Sequence, residues 1–151
     1  MIVRQRATEA GEISAMYPGT PESVPAARRF VRARLAHSPR VRDLELIASE
    51  LITNAICHTP SGQQRGMFTI TIQYRPGRAR LEVADLGTLP WRPGRSGHDE
   101  MTEHGRGLQI VAALADEVGY TVTASQSQAI WAVLTWLRHW LLAAAERIRC
   151  G

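Results

Sequence analysis

The 151-residue chain contains no lysine; all 18 residues counted as Lys+Arg are arginine. That absence excludes a Walker-type phosphate loop, whose lysine reaches the terminal phosphates, and it excludes Schiff-base chemistry. Cysteine is almost as scarce. Cys57 and Cys150 stand far apart, one inside a predicted helix and one beside the C-terminus, so they form neither a disulfide framework nor a metal-ligand cluster. Both are read as free thiols in a reducing compartment. No apolar run approaches the roughly 20 residues needed to cross a bilayer, and the opening MIVRQRATEAGEISAMYPGT has no apolar segment of signal-peptide length. The expectation is a cytoplasmic protein with no membrane partner. No internal repeat is visible, and an apolar content of 44% with 21% charged residues is ordinary for one globular domain. The net charge of +4 and a pI near 9.8 raise nucleic-acid binding, but no reader motif and no basic stripe interleaved with aromatics accompanies them. Direct nucleic-acid contact is not expected.

What is present divides into three parts: an N-terminal arm over 1–19, a domain over 20–137 and a helical tail over 138–151. The arm lacks clear periodicity and is read as loose or as holding one short edge strand. In PESVPAARRFVRARLAHS, Val24, Ala27, Phe30, Val31 and Leu35 recur at helical spacing and leave Arg28, Arg29, Arg32 and Arg34 mostly outward. A second helix is expected from Asp43 to Thr59, ended by Pro60, Ser61 and Gly62. MFTITIQYRPG and RARLEVADLG alternate apolar residues about Pro76 and Gly77 and predict an antiparallel hairpin. The loop from Gly87 to Gly105 is long for an idle connection. GRGLQIVAALADEVG predicts a helix opened by glycines, and YTVTAS and AIWAVLTW predict two closing strands. The fold class is α+β: a two-layer sandwich with helices on one face of a mixed, mainly antiparallel sheet.

Chemistry concentrates in three short elements. In SELITNAICHTP the apolar arc of the second helix is broken at its edge by Glu50 and, one turn on, Asn54, where a core helix usually carries aliphatic groups. Asn54 offers a hard carbonyl oxygen for Mg²⁺, and Glu50 can act as general base on a hydroxyl or water attacking a terminal phosphate. Asp85, at a strand end in DLG, can accept from an exocyclic amine, and Gly87 lets a flat base approach the backbone. Gly105, Arg106, Gly107 and Leu108, at a glycine-flanked helix start, offer backbone N–H groups to phosphates without any lysine, with Arg106 adding a charge-assisted contact. Each element alone is weak; their order and contexts together describe one nucleotide site.

In this order and on these elements, ELITNA, DLG and GRGL resemble the N, G1 and G2 boxes of the GHKL ATPase/kinase superfamily with its Bergerat fold. VPAARRFVRARL, HGRGLQIVAALADEVGY and AIWAVL look most like the anti-sigma-factor serine kinases and related small ATP-binding regulators of actinobacteria, over about residues 20 to 135. The resemblance implies Mg-ATP as ligand and transfer of the terminal phosphate to a serine or threonine of an anti-anti-sigma-type protein, with a sigma factor and a homodimer as open partners. It assigns Glu50 as general base, Asn54 as magnesium ligand, Asp85 and Gly87 as adenine contacts and Gly105 to Leu108 as phosphate loop. The alternative is a nucleotide-binding or degenerate partner-switching module without kinase activity. Two stretches depart from the pattern. DLGTLPWRP lacks a second glycine, and SQAIWA places Ala129 where relatives have a threonine that assists the adenine aspartate. Loss of such a hydrogen bond to a charged group costs about 1.5–3 kcal/mol, so weakened nucleotide binding is expected. His98 and His104 with Asp99, Glu100 and Glu103 match no zinc signature, and His58 reads as an ordinary helix-terminal histidine.

Overall fold

In the computed structural model, which describes residues 3–6, 11–58, 62, 64–85, 103–122 and 128–136, the buried positions of the first helix repeat every four residues. Helix α1 (Ser23–Leu35) buries Ser23, Ala27, Val31 and Leu35, one stripe of a 3.6-residue period. Pro25 sits in its first turn, where a missing N–H breaks no helical bond. Helix α2 (Val41–His58) buries a broader arc, Leu44, Ile47, Ala48, Leu51, Ile52 and Ala55, because it packs against both other helices and the sheet. The same helix buries the charged Glu45, held by Arg32 of α1 at 2.9 Å. Its observed ends lie within two residues of the expected ones, the usual ambiguity of helix boundaries.

The N-terminal reading needs correction. Residues 11–18, assigned by sequence to an arm with at most one short edge strand, form strand β2 (Gly11–Pro18), which lies between β1 (Val3–Arg6) and β3 (Met67–Arg75). Ile13, Ala15 and Tyr17 point into the core and alternate with exposed or half-buried Glu12, Ser14 and Met16. Tyr17 stacks on Phe68 of β3, ring centroids 5.7 Å apart. Strand β4 (Arg78–Asp85) follows β3 through the two-residue turn Pro76-Gly77, with Arg75 paired to Arg78 and Gly77 at φ 76°, a conformation that favours glycine.

Helix α3 (Glu103–Leu114) leads to β5 (Glu117–Val122) and β6 (Gln128–Thr135). The six strands run in the order β1-β2-β3-β4-β6-β5, and every described pairing is antiparallel. The expected α+β sandwich with a mainly antiparallel sheet is thus observed, with antiparallel pairing throughout the described strands. The connection through α3 does join two strands of like direction, β4 and β5, but β6 inserts between them and pairs with both. The helices pack on one face, as expected: α1 against β2, α2 against β4 and β6, α3 against β5.

One guanidinium ties the far end of α3 to the rest. Arg40, just before α2, donates to the Leu114 carbonyl at the C-terminus of α3, to Asp116 at 3.1 Å and to Asp43 at 3.2 Å. Asp116 in turn accepts from the Thr135 backbone N–H at 2.7 Å and its hydroxyl at 3.1 Å. No helix among the described residues is long and apolar enough to cross a membrane.

Candidate functional site

Glu50 and Asn54 lie on α2 at the border of its buried arc, both half-buried, as their position on the helical wheel requires. Against Glu50 stands Gly107 of α3: a Cβ placed on that glycine would lie 2.5 Å from the Glu50 Oε2 and 3.6 Å from its Cδ. The fold thus brings the ELITNA and GRGL elements face to face, and glycine at 107 is what lets α3 come so near the carboxylate. No hydrogen bond of the Asn54 side chain is seen among the described residues.

The glycine-flanked element is placed differently from the sequence expectation. α3 starts at Glu103, two residues ahead of Gly105, so Gly105 lies in the first turn and Gly107 and Leu108 lie within the helix. In such a helix only the first N–H groups lack an intrahelical acceptor; those of Gly107 and Leu108 donate to carbonyls four residues back. Arg106 is exposed, and Leu108 packs half-buried against the core. An anion at this helix start would meet the N–H groups up to Gly105 and the Arg106 guanidinium.

Asp85 ends β4 on the helix-facing side of the sheet and is only 4% exposed. Ala129 does not stand beside it. The β4–β6 register pairs Asp85 with Gln128 and Ala84 with Ala129, and directly paired residues share a face while their neighbours point the other way. Gln128, Ile130, Ala132 and Leu134 therefore project toward the helices, whereas Ala129 projects from the opposite face. The core cluster accordingly includes Ile130, Ala132 and Leu134 and omits Ala129. The expectation that Ala129 leaves the adenine aspartate short of a hydroxyl is corrected: the neighbour of Asp85 is Gln128, a buried carboxamide at 8% exposure. Motif spacing missed it by one residue; in the unbroken apolar run AIWAVL only strand register separates the two faces.

A second feature adjoins Glu50. Arg28 and Arg32 of α1, with Arg42, Glu45, Leu46, Ser49 and Glu50 of α2, line an open groove of about 550 Å³. Three guanidinium groups thus border the face of α2 that carries the half-buried carboxylate. Gly87 and the histidine-bearing loop fall outside the described residues, as do the side chain of Gly105's neighbour His104 and the C-terminal tail. Among the described residues no group of three or more His, Cys, Asp or Glu side chains could hold a metal ion.

Residues 17–134 match the profile of the histidine kinase-like ATPase domain. The chain belongs to that family. It is also 27% identical over 126 residues to the serine-protein kinase RsbW of Bacillus velezensis, covering 74% of this chain and 78% of that protein. A second serine-protein kinase RsbW, from Listeria innocua serovar 6a, is 28% identical over 127 residues, covering 74% of this chain and 80% of its own. Within the histidine kinase-like ATPase fold, then, this chain places a carboxylate and an amide on α2, a sealed aspartate at the end of β4 and an arginine at the start of α3.

Proposed function

We propose that the protein is a cytoplasmic ATP-dependent serine/threonine kinase of the anti-sigma-factor type, whose acceptor is a serine of an anti-anti-sigma-type protein. A sigma factor is the second partner on this reading. The observation that carries it is the seating of Gly107 on Glu50, which joins two elements more than fifty positions apart in the chain at one carboxylate. Glu50 takes the proton from the acceptor hydroxyl as the new oxygen–phosphorus bond forms and the bond to the departing ADP oxygen breaks. Asn54 would hold Mg²⁺, which when bound neutralises developing charge on the phosphates. Asp85 accepts from the adenine amine, Gly87 gives the base room, and Gly105 with Arg106 faces the terminal phosphate, while Gly107 and Leu108 shape the helix behind them. The groove of Arg28, Arg32 and Arg42 gives an acceptor protein a basic approach to Glu50.

The second reading, a nucleotide-binding or partner-switching module without transfer, is favoured by the early start of α3, which commits the Gly107 and Leu108 N–H groups to the helix. Calorimetry with Mg-ATP followed by transfer assays tests both. Binding in the wild type, transfer lost in Glu50→Ala and magnesium-dependent binding lost in Asn54→Ala is the kinase result. Binding with no transfer to any co-purifying protein leaves the nucleotide-binding module, and no heat at millimolar Mg-ATP removes the kinase reading and leaves only a module that binds its partner without nucleotide.

A further inference from the structure

Asp85, Gln128 and Val122 form one row across three strands of the helix-facing side of the sheet, because the register pairs Asp85 with Gln128 and Gln128 with Val122. The first two are buried, at 4% and 8% exposure, while Val122 is 54% exposed and Tyr120, in the next row beside Ile130, is 43% exposed. Among the described residues, this end of the face is exposed on β5 and buried at Asp85 and Gln128. It offers an apolar floor on β5 that leads to two polar side chains side by side. A flat heterocycle resting on Val122 and Tyr120 would turn its edge toward Asp85 and Gln128.

A carboxylate can only accept. Taken alone, Asp85 serves the amine of adenine and the ring N–H and amine of guanine equally well, so it cannot choose between the two bases. Paired side chains on adjacent strands have Cβ atoms about 4.5–5.5 Å apart, which puts the Gln128 carboxamide within reach of the atom next to the one that Asp85 contacts. A carboxamide N–H is a donor. Acceptor beside donor complements the amine and neighbouring ring nitrogen of adenine, the same complementarity by which glutamine reads adenine in nucleic acids. The corresponding edge of guanine, with two adjacent donors, leaves the amide N–H facing another donor.

We infer that Gln128 is the specificity-determining residue of the site, selecting an aminopurine nucleotide over an oxopurine one by donating a hydrogen bond beside Asp85. This rests on the nucleotide-binding reading above and adds the residue that chooses the base. The test titrates the full chain with Mg-ATP and Mg-GTP by calorimetry, in the wild type and in Gln128→Leu, Gln128→Glu and Ala129→Ser, with circular dichroism as the check on folding. The wild type should prefer ATP by at least roughly tenfold, the scale of one good hydrogen bond. Gln128→Leu, close in size but without a donor, should lose about tenfold for ATP and less than about twofold for GTP. Gln128→Glu, of the same shape with a second acceptor, should move the preference toward GTP. Ala129→Ser, on the opposite face, should change neither. An ATP:GTP ratio unmoved in a folded Gln128 variant, or a ratio moved by Ala129→Ser, overturns the inference while leaving the nucleotide site standing. A wild type that binds neither nucleotide removes the site and the inference together.

Discussion

Glu50 and Asp85 are both carboxylates at the margin of one core, yet the first stands half-buried on a helix and the second is nearly sealed at the end of a strand. Their neighbours arise by different geometry. Glu50 meets Gly107 across a helix pair, where a missing side chain sets the approach. Asp85 meets Gln128 across a strand pair, where register sets it. A helix tolerates a small error in alignment, since a shift of one position turns a side chain by about 100°; in a strand the same shift sends it to the other face of the sheet. At Asp85, therefore, a difference of one residue decides the face: Gln128 lies beside it and Ala129 on the other side of the sheet.

On the proposed reading Glu50 sets the rate and Asp85 the affinity, and substitution can break that contrast. The largest effect is expected from Glu50→Gln, which should reduce phosphoryl transfer by roughly 10²–10⁴-fold, the usual contribution of a general base, while leaving the ATP dissociation constant within about twofold. Weakened binding with an undiminished single-turnover rate would reverse the roles of the two ends. Asp85→Asn should instead weaken ATP binding by about ten- to a hundredfold in calorimetry, the value of a hydrogen bond to a buried charge. Gly107→Ala sharpens the helix side: its methyl displaces the Glu50 carboxylate, so transfer should fall roughly tenfold or more through misplacement. Thermal stability should change by no more than about 1 kcal/mol, because alanine favours the helix that it crowds.

Smaller still is the effect expected at the distant end of α3. Arg40→Ala removes bonds to Leu114, Asp116 and Asp43 that are partly open to solvent, so a loss of about 1–2 kcal/mol is expected, visible as a melting point lowered by a few degrees. The smallest concerns Tyr17, whose hydroxyl is held above the ordinary tyrosine range by burial, an effect that the Arg29 charge opposes. A group whose pKa is raised on folding gives stability that is complete below its unfolded value and is lost as pH rises through the folded one. Stability should thus decline above about pH 10, with a shallower decline in Tyr17→Phe, measured by denaturant melts across that range.

Helices α1 and α2 and the β3–β4 hairpin were legible in the sequence for a physical reason: each is defined by local spacing, four-residue repeats in α1 and α2 and alternation about Pro76-Gly77; the third helix was read on through Gly119, whereas α3 ends at Leu114 and β5 begins at Glu117. Strand β2 was not, because its inward residues are Ile13, Ala15 and Tyr17, and a small central residue flattens the alternation. Nor could local pattern reveal that β6 enters between β4 and β5, since that depends on pairing between distant segments. Glu50 and Asn54 stood out because polar groups at the edge of an apolar arc are conspicuous. Gln128 did not, being one polar residue among several in SQSQ, with nothing but register to distinguish it. Arg40 was one arginine among 18.

That arginine bears on how the molecule folds as well as on how firmly it holds. Arg40 and Asp116 are 76 residues apart in the chain, whereas the β3–β4 hairpin closes across a two-residue turn. The entropy lost in closing a loop rises with its length, so the hairpin can form early and the Arg40 contacts belong on the native side of the barrier. Contacts made after the transition state govern how slowly a protein comes apart and leave the speed of its assembly almost untouched. Arg40 should accordingly act as a latch on the lifetime of the folded state, with its alanine variant raising the unfolding limb of a chevron at unchanged slope while the refolding limb stays where it is.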